Sequence, residues 1–203
     1  ARIDAVQALV SPTHTVFAWT ESFDAGPFGA TRESFVARRA HVDGRVTGAV
    51  RLEALAGHEV SGLVRLDDGT VVLLAQNGAV LRLATSDNGG ASFSEPAVLA
   101  LGGVPAQSDT GSFATLHADG DILYLLLGAN LTEVGAPNRN LYFARSEDGG
   151  ASFSQAVHLA ESASLDGWAS RPLLQSNGQG DLVVLFGDGA LGAGEVLAAR
   201  SST

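Results

Sequence analysis

The chain has 203 residues, 45% of them apolar and 17% charged, so it is long enough to bury a core and too apolar to be disordered. With a net charge of −10, twelve arginines and no lysine, it is a poor partner for nucleic acid or an anionic membrane, because both repel it. Without cysteine there is no disulfide, thiolate nucleophile or thiolate metal site, and no apolar run approaches the roughly eighteen residues of a membrane span. The chain opens on Ala1 and contains no methionine, which reads as a processed or trimmed product, a removed signal peptide being one route to it.

In chain order, the first group of short aliphatic runs is Ile3–Val10, Thr15–Thr20, Ser34–Arg39 and Ala49–Glu53. The second is Ser61–Leu66, Val71–Ala75, Ala79–Ala84 and Ala97–Leu101. The third is Ser112–His117, Asp121–Leu126, Asn140–Ala144 and Ala156–Ala160. A last group, Arg171–Gln175, Asp181–Phe186 and Glu195–Ala199, holds three runs. All are bounded by Gly, Asp and Asn, the punctuation of strands rather than helices, and 25 glycines supply the turns. Val71–Ala75 and Leu123–Leu126 are continuously apolar, as a strand covered on both faces must be. No helix, linker or second domain is expected.

The groups are repeats. Ser86-Asp-Asn-Gly-Gly-Ala-Ser-Phe93 returns 60 residues later as Ser146-Glu-Asp-Gly-Gly-Ala-Ser-Phe153, each copy between the third and fourth runs of its group. Four-stranded units repeated at this spacing suggest blades of a β-propeller, since a single such sheet cannot cover both of its faces. The expected fold is all-β, with three full blades and one partial blade, approximately residues 1–56, 57–103, 108–162 and 168–203. It is expected to form part of a larger, six-bladed ring, the last blade lacking its fourth strand.

The pattern Ser-x-Asp-x-Gly-x-Ser-Phe resembles the Asp box of sialidase-like (BNR-repeat) propellers. Ser146, Asp148, Gly150 and Phe153 match it; Ser86, Gly90 and Phe93 match it in the first copy, where Asn88 replaces the aspartate. A short side-chain oxygen can accept bonds from turn amides, and a glycine can take positive φ, so the box reads as a structural turn. A calcium loop is excluded by too few carboxylates and no terminal glutamate. The segment Ala40–Val46 reads as a degenerate box.

The resemblance also implies a site. Arg2-Ile3-Asp4 stands where the family's first blade opens with Arg-Ile-Pro, and the b–c connection 21–33 stands where it carries a catalytic aspartate. On that likeness Arg2 is the clamp for a sugar carboxylate and Asp24 the acid that protonates the leaving oxygen. The connections 21–33, 102–111, 128–139 and 161–168 share one end of the blades and contribute Arg32, Asp109, Arg139, Asp166, Trp168 and Arg171 as ligand-binding candidates. The five histidines show no metal spacing, no Gly-x-Ser-x-Gly elbow or P-loop occurs, and no cofactor is expected.

Three functions fit these features. The first is a carbohydrate- or ligand-binding interaction module, extracytoplasmic by the habit of the family, whose partner is a glycan or anionic sugar. The second is an exo-sialidase whose remaining catalytic residues lie beyond Thr203. The third is a structural subunit, with another chain completing the open propeller edge.

Overall fold

The structure is a computed structural model that describes residues 1–24, 30–78, 80–104, 108–133, 136–162, 172–178, 181–188 and 195–201. Contacts divide the chain into two compact units, Ala1–Leu99 and Ala100–Thr203.

The first unit holds two antiparallel meanders. One orders β1 (Arg2–Val10), β2 (His14–Asp24), β3 (Ala30–Ala40) and β4 (Val50–Arg51); the other orders β5 (Glu59–Arg65), β6 (Val71–Asn77), β7 (Val80–Ser86) and β8 (Ala97–Val98). Side chains alternate between the faces of a strand, so an unbroken apolar run signals cover on both. β6 meets that test: Val71 to Ala75 are all essentially inaccessible. One of its faces packs Val71, Leu73 and Ala75 against Val16, Ala18 and Val36 of the first sheet, with Leu9 and Phe93 at the margin. Each fully buried valine or leucine of this cluster contributes about 1.5–3 kcal/mol, and each alanine less.

The second unit repeats the plan. β9 (Ser108–Asp119), β10 (Ile122–Glu133), β11 (Ala136–Ser146) and β12 (Val157–Ser162) form a four-stranded sheet; β13 (Leu173–Ser176), β14 (Leu182–Asp188) and β15 (Glu195–Ser201) form one of three strands. Tyr124, Leu126 and Leu141 pack against Leu174, Leu182, Val184 and Phe186. Leu123, Leu125 and Leu127, on the opposite face of β10, are equally buried.

Three expectations are corrected. The connections 21–33 and 128–139 are not simple loops. β2 and β3 stay paired out to Asp24↔Ala30, and β10 and β11 out to Glu133↔Ala136. Ladder bonds use the backbone alone, so pairing outlasts the apolar side chains that mark a strand in sequence. Two of the three fourth strands are shorter than their apolar runs, two residues in β4 and in β8, whereas β12 has six. The expectation of no helix gives way, among the described residues, to the 3-10 turn Glu53–Leu55, pinned by the fully buried Leu55. In the expected degenerate box, Asp43 accepts the Arg45 amide at 2.9 Å and Gly44 takes φ +68°.

Candidate functional site

In a meander the connections alternate ends. In the first unit one end carries the β1–β2 turn and the box after β7. His14 Nε2 donates to the carbonyl of Gly89 at 2.9 Å, and Arg38 reaches the Asn88 carbonyl at 3.4 Å. Those bonds tie the first sheet to the second.

The box has the same internal wiring in both units. Ser86 Oγ donates to Asn88 Oδ1 at 2.8 Å and accepts the Gly90 amide at 2.8 Å; Asn88 Oδ1 also accepts the amides of Ala91 and Ser92 at 3.0 Å. Ser146 Oγ donates to Asp148 Oδ1 at 2.8 Å and accepts the Gly150 amide at 2.9 Å, and Asp148 Oδ1 accepts the Ser152 amide at 2.8 Å. Phe93 and Phe153 are half-buried. Both aspartate-type side chains therefore spend their acceptors on their own turn and have no catalytic geometry.

At the other end of the first unit the β2–β3 hairpin projects beside the start of β1 and of β5. The β1–β2 register shifts between Ile3 and Ala5, so Asp4 is the extra residue of a bulge. Its carboxylate is only 7% exposed and accepts hydrogen bonds from Ser22 Oγ and from Arg2 Nε, the latter at 2.8 Å. Arg32 stands between two carboxylates, 3.8 Å from Asp4 and 3.8 Å from Glu59. A second link follows: Arg51 lies 3.1 Å from Glu33 and 3.3 Å from Glu53. Arg32, Glu33 and Arg51 line an open concavity with Gly57 and Asn77. On the opposite face of the sheet from Arg32, Trp19 stacks on Phe35 at 5.6 Å and donates its indole N–H to Glu21 at 2.9 Å. Alternating charges hold one another in place here while leaving guanidinium and carboxylate edges at the surface, the equipment for binding hydroxyls.

Of the residues singled out in sequence, Arg2 and Arg32 meet at Asp4. Asp24 is exposed at the last position of β2. In the second unit the register sets Asp109 opposite Asn130, and Asn130 opposite Arg139, which in turn pairs with Ser162, at the hairpin end of the sheet. The side chains of Asp109 and Arg139 lie outside the described set, as do Asp166, Trp168 and Arg171 altogether. Asp4, Ser22, Glu33, Arg51 and Glu59 were not anticipated. The one signal for them was an acid inside the otherwise alternating run Ile3–Val10, the mark of a bulge or an internal partner.

Perturbed titration lies away from this end. Burial beside Tyr124 lowers the pKa of His117, partly offset by Asp119, and burial raises that of Tyr124. Among the described residues no cluster of three His, Asp or Glu could hold a metal ion, and no helix is long and apolar enough to cross a membrane.

No protein-family profile and no curated protein sequence matches the chain. Solved structures do resemble it. An α-L-arabinofuranosidase from Fusarium graminearum, held with an iminosugar inhibitor, superposes with a TM-score of 0.55 at 14% identity over 71% of this chain and 45% of its own. A GH43_1 enzyme from Xanthomonas citri, complexed with xylose, gives 0.61 at 14% identity over 98% of this chain and 69% of its own. A polysaccharide lyase of family PL25, an ulvan lyase, gives 0.59 at 11% identity over 97% of this chain and 55% of its own. The chain thus spans less than half of the arabinofuranosidase and little more than half of the lyase. The two glycosidases are β-propellers, and this chain has their fold: an all-β propeller of antiparallel blades, which among the described residues are three of four strands and one of three.

Proposed function

We propose that the chain is a carbohydrate-binding propeller module whose glycan contacts the Arg32 end of the first unit. One observation carries the reading. Asp4 is buried in a bulge and held by Ser22 and Arg2, so Arg32 is fixed between Asp4 and Glu59 at the edge of a concavity instead of drifting in solvent. Preorganised guanidinium and carboxylate groups at the rim of a concavity suit the hydroxyls of a sugar ring. Support of a coarser kind comes from the neighbours in fold, one solved with arabinobiose and another with xylotriose. The lyase among them breaks bonds by other chemistry, so the fold leaves open whether this chain cleaves what it binds.

A sialic acid is the narrower version of the ligand, from the likeness of the boxes, with the sugar carboxylate on Arg2 and Arg32. Arg2 already bonds Asp4, so that carboxylate would have to exchange with a protein partner. The exo-sialidase version adds Asp24 as acid. An extracytoplasmic setting belongs to the same proposal, because polymeric glycans are met there.

The test is calorimetric titration with arabino-oligosaccharides, xylo-oligosaccharides and a sialyl-lactose. Arg32→Ala is expected to weaken binding about tenfold, roughly 1.4 kcal/mol, while Ser92→Ala at the opposite end leaves it unchanged. Affinity for none of these sugars, or affinity indifferent to Arg32→Ala, removes the site. Release of a fluorogenic sialoside that disappears in Asp24→Asn would establish the hydrolase instead.

A further inference from the structure

The first unit holds a second recess, distinct from the Arg32 concavity. It lies between β4 and the following 3-10 turn on the first sheet and the box-to-β8 segment of the second. Its volume is about 340 Å³, at the small end of the range for ligand pockets. The floor is apolar. Val36, Leu55 and Ala84 are at most 2% exposed and Pro96 is buried, while Leu52 and Phe93 pack against the Val16–Ala18–Val36 core.

The gap has a local cause. The outer strands β4 and β8 are two residues long, and two of the residues that line the recess from the second sheet's side are alanines, Ala84 and Ala91. Nearer the core the same two sheets close on larger side chains, Val71 and Leu73 against Val16 and Val36. Close packing is the rule between sheets, so apolar walls left this far apart offer burial to a guest molecule.

The polar residues around the recess are Arg51, Glu53, Ser92, Ser94 and Glu95. Four of them are engaged. Arg51 pairs with Glu53 as well as with Glu33. Ser92 Oγ accepts from the Asn88 amide group at 2.8 Å, and Ser94 Oγ accepts the Thr85 N–H at 3.0 Å. Glu95 is exposed, and its carboxylate has no hydrogen-bond or ion-pair partner among the described residues. The recess is thus bordered by two carboxylates and one guanidinium, in a chain of net charge −10.

We infer that this recess binds a small organic ammonium ion, its apolar body against Leu52, Leu55 and Phe93 and its protonated amine at the Glu95 carboxylate. A neutral ligand of the same shape gains only the apolar contact, and an anionic one meets the wrong charge. Burial of the body drives binding. The ion pair is exposed, so it adds a preference of only about two- to fivefold. Arg51 also lines the Arg32 concavity, but the inference stands whether or not a glycan binds there.

Amide-resolved NMR titration of the chain at neutral pH, with three probes of similar shape, tests it: phenethylamine, phenethyl alcohol and hydrocinnamate. Phenethylamine is expected to shift the amides of Leu52, Glu53, Phe93 and Glu95 with millimolar affinity. It should bind about two- to fivefold more tightly than the alcohol, and hydrocinnamate more weakly than either. Glu95→Gln, at an exposed position, is expected to bring phenethylamine close to the alcohol and to leave the alcohol unchanged. Absence of shifts at these amides overturns the proposal. Equal affinity for the three probes overturns it too, because the recess would then be a purely apolar site. An amine preference that survives Glu95→Gln overturns it as well, and assigns the preference to the overall negative charge of the chain.

Discussion

The two boxes share a backbone plan and differ in what surrounds it. In the first unit the residue at the centre is Asn88, whose amide donates to Ser92 Oγ at 2.8 Å; in the second it is Asp148, which accepts from Ser152 Oγ at 2.5 Å. The serine hydroxyl simply reverses its role. The first box is also built into the neighbouring sheet, through His14 on the Gly89 carbonyl, and its Gly90 is buried where Gly150 is half-exposed. Within the first unit this turn sequence therefore serves as an inter-sheet joint, and within the second it closes its own hairpin.

The glycines should separate the two roles most widely. Gly90 and Gly150 both take positive φ, +82° and +95°. A Cβ on Gly90 would also fall 2.8 and 2.9 Å from the methyl groups of Val16, a residue of the core. Gly90→Ala is expected to cost about 2–5 kcal/mol, the sum of backbone strain and overpacking, and Gly150→Ala about 1–2 kcal/mol from strain. Urea unfolding of both variants measures this. Equal losses would mean that Val16 yields freely and that the first box is not a joint.

Removing the box serine should give a smaller contrast of the same sign. Ser86 and Ser146 are each 2% exposed. Ser86→Ala leaves the buried Gly90 amide without a partner, whereas the Gly150 amide can turn to water. Both changes are expected to cost about 1–3 kcal/mol, Ser86→Ala the more. The bond from Ser146 to a carboxylate is intrinsically the stronger, but solvent screens it; a larger loss for Ser146→Ala would show that this charge outweighs burial.

The boxes and strands were readable in the sequence because they rest on local chemistry. Glycine at positive φ, an oxygen that bonds its own turn, and aliphatic runs such as Val71–Ala75 need no distant partner to be recognised. The hairpin arms beyond Thr20 and Gly128 were not readable as strand, since backbone pairing carries Glu21, Arg32 and Asn130 without any apolar mark. Asp4 escaped for another reason: a bulge is defined by the partner strand, and its cluster draws on residues as far away as Glu59.

Acid offers the finest distinction between the boxes, since only the second has a carboxyl at the centre of its turn, Asp148 where the first has Asn88. The Ser152 hydroxyl, then the Ser152 amide and the Ser146 hydroxyl, hold the Asp148 carboxyl at about 2, below the ordinary value of 3.8. A depressed carboxyl stabilises the fold fully above its unfolded value and loses that contribution as the pH falls through its folded one. The second box should accordingly loosen between about pH 4 and pH 2, whereas Asn88 carries no proton to gain. Amide hydrogen exchange resolves the two: protection of Ser152 is expected to fall across that window while that of Ser92 holds. In Asp148→Asn the loss at Ser152 should vanish, with little change at neutral pH, because Asn88 shows that an amide oxygen can hold the same turn. In Asn88→Asp the acid sensitivity should appear at Ser92. Parallel loss at both amides in the parent chain would assign the acid response to the sheets rather than to the turn.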